Sequence, residues 1–243
     1  MGPYAREELL ACVIARLIGD AAHVAVGAAS PIPATACALL AAQGKKLRVS
    51  LLHKRKGNPF SEGSRELFDL AGQGRIDVFF LGGAQIDGEA NVNLVRAEGR
   101  RFPGSFGSAF MYFTARRTIL FREEHSRRVL VPKVEFVSAP GSSAPGVWRR
   151  GGPQALLTGK ALFAWQPEKR RFMLESVHPG SSLDEVRECT GFDFDCGPAV
   201  PATAEPSPAD LALLRGPVAR EIAANYPAFG RRVWELGASH SKS

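Results

Sequence analysis

A run of residues able to do chemistry stands near the middle of the chain. It reads Leu81-Gly82-Gly83-Ala84-Gln85-Ile86-Asp87 and is followed by Asn91-Val92-Asn93. Residues 76–81 (IDVFFL) form the most hydrophobic strand-like stretch and run straight into the two glycines. With no side chains there, the backbone can approach a ligand closely and offer its N–H groups. Such donors suit a thioester carbonyl oxygen, on which negative charge develops during attack. Gln85 can add a side-chain donor, and Asp87 can anchor the turn by accepting backbone N–H bonds. A plain strand-to-loop turn with a capping Asp explains the same residues.

Other titratable groups are less pointed. From Ala21 through Ser61 the sequence holds no Asp or Glu. Glu62 reads as a charge at the start of the helix that precedes residues 76–81, favourable there with the helix dipole. Cys12, Cys37, Cys189 and Cys196 contain no C-x-x-C pair, and five scattered histidines add no zinc spacing, so the thiols read as free and buried and no metal is expected. His125 and His178 read as hydrogen-bonded structural groups. Lys45, Lys46, Arg48, His53, Lys54, Arg55 and Lys56 cluster around the second strand. They form a solvated basic face, a dock for an acidic partner, or a seat for phosphates. Nucleic acid is not expected, because no aromatics interleave with the charges. Arg116-Arg117 and Arg149-Arg150 read as surface pairs.

The elements that must position these groups follow an α/β pattern. The chain has 243 residues, 45% hydrophobic and 23% charged, with a net charge of +7, which fits a soluble globular protein with anionic partners. No run approaches the ~20 apolar residues of a membrane helix. Glu7 and Glu8 stand where a secretory signal needs cations, so a cytoplasmic location and no membrane partner are expected. Leu10, Val13, Ile14 and Leu17 share one helical stripe closed by Gly19. Residues 23–27 read as a buried strand, 30–33 as a turn, 34–42 as a helix and 47–52 as a second strand, which together make a βαβ unit. Residues 54–63 read as a loop around Gly57, Asn58 and Pro59, and 64–71 as a helix. Residues 84–109 read as functional loop. Residues 118–121 and 133–138 are expected as strands, and 161–166 with 171–177 as an antiparallel hairpin. Ser182-Leu183-Asp184-Glu185 is a capping box opening a helix to about Cys189. Residues 197–208 form a Pro-rich linker, Ser207 and Pro208 start a further helix, and 237–243 form a frayed tail. The whole, residues 1–243, is expected as a single domain.

Several segments then carry a resemblance in one order. Residues 80–93 (FLGGAQIDGEANVN) resemble the β-subunit signature of family I CoA-transferases, such as the glutaconate and 3-oxoacid enzymes. Residues 103–109 (PGSFGSA) resemble the family's P-G-S/T-x-G-x-A loop, and 134–141 (VEFVSAPG) resemble V-D-F-V-T-S-P-G. His178-Pro179-Gly180, Glu185-Val186 and Thr190-Gly191-Phe192-Asp193 resemble the C-terminal H-P-G, E-V and T-G-F-D block, and residues 208–215 resemble the closing E-L-x-L-L-R helix. The resemblance implies an α/β fold with an open, mainly parallel sheet flanked by helices (NagB/RpiA-like). It also implies an α-type partner in a heterodimer or α2β2 assembly, and acyl-CoA and a carboxylic acid as substrates. Coenzyme A enters as substrate, with no permanently bound cofactor. Gly82, Gly83 and Gln85 would hold the thioester carbonyl; Gly104, Ser105, Gly107, Ser108 and Ser50 would contact substrate or CoA.

The family's nucleophile is a glutamate that attacks the acyl-CoA to give a mixed anhydride, which the released CoA thiolate opens to a glutamyl-CoA thioester. Its place is near Ser50, at the end of the second strand, where this chain has no carboxylate. Glu62, in residues 61–64 (SEGS), is similar to the family's S-E-N-G motif and is the candidate nucleophile that this resemblance leaves, although it lies late in the chain for the family spacing. Two alternatives therefore stand beside CoA transfer. One is a ring-opening acyl-CoA hydrolase of the steroid-catabolism type that uses a partner-subunit carboxylate, whose H-S-x-R-V segment residues 125–129 (HSRRV) resemble. The other is a non-catalytic scaffold subunit.

Overall fold

A computed structural model describes residues 3–52, 54 and 60–236. The tail expected at 237–243, the turn residues Gly57, Asn58 and Pro59, and His53, Arg55 and Lys56 of the basic cluster lie outside the described residues. The chain groups into two compact units, one running up to Leu67 and resuming at Ala204, the other Phe68–Thr203.

The first unit opens with α1 (Arg6–Ile18), which Gly19 ends at φ 59°. One apolar stripe is expected, yet every residue from Glu8 to Ala15 is buried. The reason is packing on more than one side. β1 (His23–Val26), α2 (Pro31–Ala42) and β2 (Arg48–Leu51) follow. The two strands pair in parallel, from His23 opposite Arg48 to Val26 opposite Leu51, so α2 is the crossover of the expected βαβ unit. Residues 30–33, expected as a turn, instead begin α2. Pro31 stands in its first turn, where the missing N–H and fixed φ cost nothing. α3 (Ser64–Gly72) starts on a cap: Glu66 accepts from the Ser61 hydroxyl (2.7 Å) and from the Ser61 and Glu62 N–H groups (3.1 Å each).

The second unit contains β3 (Val78–Leu81), β4 (Gln85–Ile86), β5 (Val92–Asn93), β6 (Arg96–Ala97), β7 (Arg100–Arg101), α4 (Ser108–Thr114) and β8 (Arg117–Arg122). It continues with β9 (Pro153–Thr158), β10 (Ala161–Gln166), β11 (Arg171–Val177), α5 (Leu183–Cys189) and β12 (Asp195–Cys196). Its strands lie in the order β12-β11-β10-β9-β8-β3. β3, β8 and β9 run parallel, and so do β11 and β12; β9, β10 and β11 form an antiparallel meander. The α/β class and the mainly parallel sheet flanked by helices stand as the sequence predicts. The expected hairpin is present, with Ala161 opposite Val177 and Gln166 opposite Arg171. Residues 84–109 hold two short antiparallel pairs, β4–β5 and β6–β7, besides loop.

Residues 133–138 are not a strand. Their backbone is claimed by side chains instead: Asp87 accepts from the Val134 N–H (3.3 Å) and Gln85 from the Glu135 N–H (3.0 Å). The capping box of α5 is half formed. Ser182 accepts from the Glu185 N–H (3.1 Å), while the Glu185 carboxylate turns to Lys160.

Two buried histidines tie the meander to its surroundings, as expected of structural groups. His178 Nδ1 lies 2.7 Å from Thr203 Oγ1, and its Nε2 3.0 Å from the Thr158 carbonyl. His125 Nε2 lies 2.9 Å from Thr190 Oγ1 and its Nδ1 2.8 Å from Thr158 Oγ1. Thr190 gives its own proton to the Val186 carbonyl (2.7 Å), so it can only accept from His125. His125 Nε2 thus carries the proton that it gives to Thr190, while the Thr158 hydroxyl facing Nδ1 also lies 3.1 Å from the Ala161 carbonyl. Burial pushes its pKa down to about 4. The unfolded chain takes up a proton near pH 6.5 and the fold resists until about 4, so stability falls as pH drops through that window. Between pH 7.5 and 5, urea titrations are expected to show a loss of about 2 kcal/mol from this residue. A His125→Gln variant is expected to lose that slope, and an unchanged slope would refute the assignment.

The chain then returns to the first unit with α6 (Pro208–Leu213), a π-helical turn at Leu214–Val218, α7 (Ala219–Asn225) and α8 (Pro227–Trp234). Ser207 and Asp210 form a complete capping box. The π turn surrounds Pro217, which has no N–H to give the helix ladder, and Gly216 leaves helical geometry there. No helix among the described residues is long and apolar enough to cross a membrane. Among them, no group of three His, Cys, Asp or Glu is placed to hold a metal. Of the cysteines expected to be buried, Cys12 and Cys37 are, with burial pushing both thiols up to about 12, while Cys189 and Cys196 are partly exposed.

Candidate active site

β3 is buried along its whole length and delivers Gly82 and Gly83 at its finishing end. Both must be glycine for steric reasons. A Cβ on Gly82 would lie 2.7 Å from the Phe121 carbonyl oxygen. One on Gly83 would lie 2.5 Å from Val92 Cγ1 and 2.8 Å from the Asn93 carbonyl oxygen. The chain pairs again at Ala84, whose N–H donates to the Asn93 carbonyl (2.8 Å). Between these points, neither the Gly82 nor the Gly83 N–H meets an acceptor among the described residues. Gly83 is buried, so its donor is withheld from bulk water. An unengaged buried N–H is rare enough to call for an explanation.

A polar lattice fixes this bend. Asp87 Oδ1 accepts from the Glu89 and Asn91 N–H groups (3.1 and 3.0 Å) and Oδ2 from the Asn91 amide (3.2 Å), the anchoring expected of it. Gln85 is buried and committed to its neighbours. Its amide donates to Glu135 (2.9 Å), and its carbonyl accepts from Asn93 (2.8 Å) and the Glu135 N–H. Ser138 accepts from the Leu94 N–H (2.7 Å) and donates to the Val92 carbonyl (2.8 Å). The Glu98 N–H and the Gln85 amide hold the Glu135 carboxyl below its ordinary range. The sequence alone does not assign Glu135 or Ser138 to this site. Their partners lie some forty to fifty residues away, and no local signal announces such pairings.

The other expected site residues fall in several places. Gly104 sits at φ 103° and Phe106 at φ 45°, in a tight turn where the Ser108 N–H donates to the Ser105 carbonyl (2.8 Å). Gly107 lies against the Phe68 ring, where a Cβ would approach to 2.0 Å. Ser50 is fully buried in β2, with its hydroxyl 2.8 Å from His23 Nε2. Glu62 is exposed and pairs with Arg65 at 3.2 Å, as a charge at a helix start would. Within the basic cluster, Lys45, Lys46, Arg48 and Lys54 are exposed, and Lys45 donates to the Gly19 carbonyl.

Residues 40–189 match the family described as Coenzyme A transferase, more than half of the chain. The chain belongs to the coenzyme A transferase family. It is 27% identical to the β-type subunit of the 3-oxoadipate CoA-transferase of Pseudomonas knackmussii, over 93% of this chain and 97% of that protein. It is 35% identical to the β-type subunit of the glutaconate CoA-transferase of Acidaminococcus fermentans, over 57% of this chain and 55% of that one. Among solved structures it resembles the decarboxylase AibA/AibB, with a TM-score of 0.72 and 26% identity over 87% of this chain and 93% of that one. Within this coenzyme A transferase family chain, the glycine bend lies inside the matched segment.

Proposed function

We propose that the whole chain is the β-type subunit of a heteromeric, cytoplasmic CoA-transferase-family enzyme that acts on acyl-CoA thioesters with an α-type partner. The observation that carries this reading is the pair of unengaged Gly82 and Gly83 N–H groups at the end of a buried strand. They bind the thioester oxygen as charge gathers on it, which lowers the barrier to attack. Gln85 and Asp87 act as positioning residues that hold the bend against β5 and residues 134–138. Gly104, Ser105, Gly107 and Ser108 line the path of substrate or CoA. Coenzyme A is a substrate rather than a resident cofactor.

The attacking carboxylate comes from elsewhere than residues 21–61, which contain none. Glu62 is exposed and paired with Arg65, with nothing to desolvate or orient it as a nucleophile. That same absence favours a second reading, in which water attacks the substrate and the enzyme is a hydrolase. The heteromer should be incubated with an acyl-CoA and trapped with borohydride or hydroxylamine before peptide mapping. Glu62 is expected to be unmodified. An adduct on a partner carboxylate supports transfer, turnover with no adduct supports hydrolysis, and an adduct on Glu62 would overturn its assignment as a helix-start charge. A heteromer without turnover would leave the scaffold role and refute the enzyme.

A further inference from the structure

A concave site lies in the Phe68–Thr203 unit, at the opposite end of the strands from the glycine bend. It is a cavity of about 590 Å³ where β8 and β9 begin. Arg117 pairs with Val78 at the starting end of β3, whereas Gly82 abuts Phe121, about 13 Å further along β8 at some 3.3 Å per residue.

Four arginines line this cavity: Arg116, Arg117, Arg149 and Arg170. None of the described residues that line it is acidic. Arg149, expected as a surface residue, is instead partly buried and structural. It donates to the Pro140 and Tyr112 carbonyls (2.8 and 3.0 Å) and stacks on the Tyr112 ring at 4.6 Å. Burial holds its pKa below the usual value, though it stays cationic. Arg116 and Arg170 are exposed at the rim.

The backbone adds donors of its own. Among the described residues, the N–H groups of Ser142, Ser143, Gly151 and Gly152 meet no acceptor, and all four residues line the cavity. Gly151 is held against β8 so closely that a Cβ would lie 2.2 Å from the Ala115 and Arg116 carbonyl oxygens. Arginine forks and free amides together match phosphate oxygens. Trp165 supplies an aromatic wall beside them, braced edge-on by Phe172 at 5.0 Å. A planar base fits such a wall, because an aromatic face stacks on any base. The volume lies within the range of small-molecule sites.

We propose that this cavity binds a nucleoside phosphate, with the phosphates on Arg116, Arg170 and the free amides and the base against Trp165. The cavity shares no lining residue with the glycine bend.

Calorimetry on the full chain with ADP and with inorganic phosphate tests it. ADP is expected to bind saturably and at least tenfold more tightly than phosphate. The double variant Arg116→Glu/Arg170→Glu is expected to weaken ADP at least tenfold, with the thermal melt unchanged because both side chains are exposed. Trp165→Ala is expected to weaken ADP and leave phosphate binding as it was. No saturable ADP binding, ADP binding no tighter than phosphate, or ADP binding indifferent to the charge reversal would each overturn the proposal. The source of the nucleotide separates in the heteromer. A tenfold rise in the KM for acyl-CoA in the double variant means that the cavity takes coenzyme A's own nucleotide end. Unchanged acyl-CoA kinetics mean that a free nucleotide is the ligand. Both outcomes support the site.

Discussion

Gly83→Ala is expected to cut acyl-CoA turnover by the heteromer about a hundredfold or more, chiefly in kcat. The added Cβ would meet Val92 Cγ1 at 2.5 Å and the Asn93 carbonyl oxygen at 2.8 Å. Real Cβ atoms do not come that close, so the bend must move. Its N–H then no longer points where the thioester oxygen develops charge, and losing one such donor costs about 10²–10³ in rate. Binding of acyl-CoA before attack needs that hydrogen bond far less, so KM is expected to change little. Overpacking also destabilises by about 1–3 kcal/mol, which a denaturant titration measures independently. Gly83→Ala with Val92→Ala removes the nearer clash and recovers part of the stability. It leaves the Asn93 carbonyl in place, so turnover stays low while folding improves. Turnover within threefold of the parent in either folded variant would refute the oxyanion role.

How far the sequence discloses these features depends on whether their causes are local. The βαβ unit is legible because two short β-branched runs flank an alanine-rich helix with short connections. The glycine bend is legible because a hydrophobic strand ending in two glycines has few other uses. Residues 133–138 mislead for a physical reason. Their mixture of Val134, Phe136 and Val137 with polar residues fits a strand, but Gln85 and Asp87 capture backbone N–H groups that a sheet would otherwise pair. β9 is hard to read as a strand because Gly151, Gly152 and Pro153 lead into it. Yet Gly151 is what lets the chain pass against the Ala115 and Arg116 carbonyls. The helices after Arg215 are hidden by Gly216-Pro217, which stop a helix, and here a new helix starts beyond the kink at Gly216. Gln85 illustrates the limit at the site. Its type suggests a donor to substrate, but Glu135 and Asn93 occupy its amide group, and only the fold brings Glu135 near.

Glu8→Gln is expected to destabilise the first unit by about 2–3 kcal/mol, below the full cost of breaking a buried ion pair because water reaches the partner. Glu8 is 2% exposed and gathers three donor residues, two of them from distant parts of the chain. Arg215 contributes its Nε and Nη2 (2.9 Å each), Trp234 its indole N–H (3.2 Å) and Ala5 its backbone N–H (2.8 Å). The residue therefore caps α1 and pins the π turn and α8 to it. Burial alone would raise the Glu8 carboxyl, but the Arg215, Ala5 and Trp234 bonds together hold it below its ordinary value. Its contribution is present above the usual carboxylate range and is lost as pH falls through the depressed folded value. That places it on the acid side of the His125 window, so the two losses separate in a pH series. Glutamine keeps the shape and one acceptor oxygen while it removes the charge. For a chain of this size, about 2–4 °C per kcal/mol puts the melting temperature roughly 5–10 °C lower. Glu7→Gln is the matched control, one residue away. Its carboxylate meets Arg232 at 3.3 Å in a pair whose arginine is mostly exposed, and such pairs contribute under about 1 kcal/mol. Equal melting shifts for the two variants would show that position in α1, rather than the buried Glu8–Arg215 pair, sets the stability.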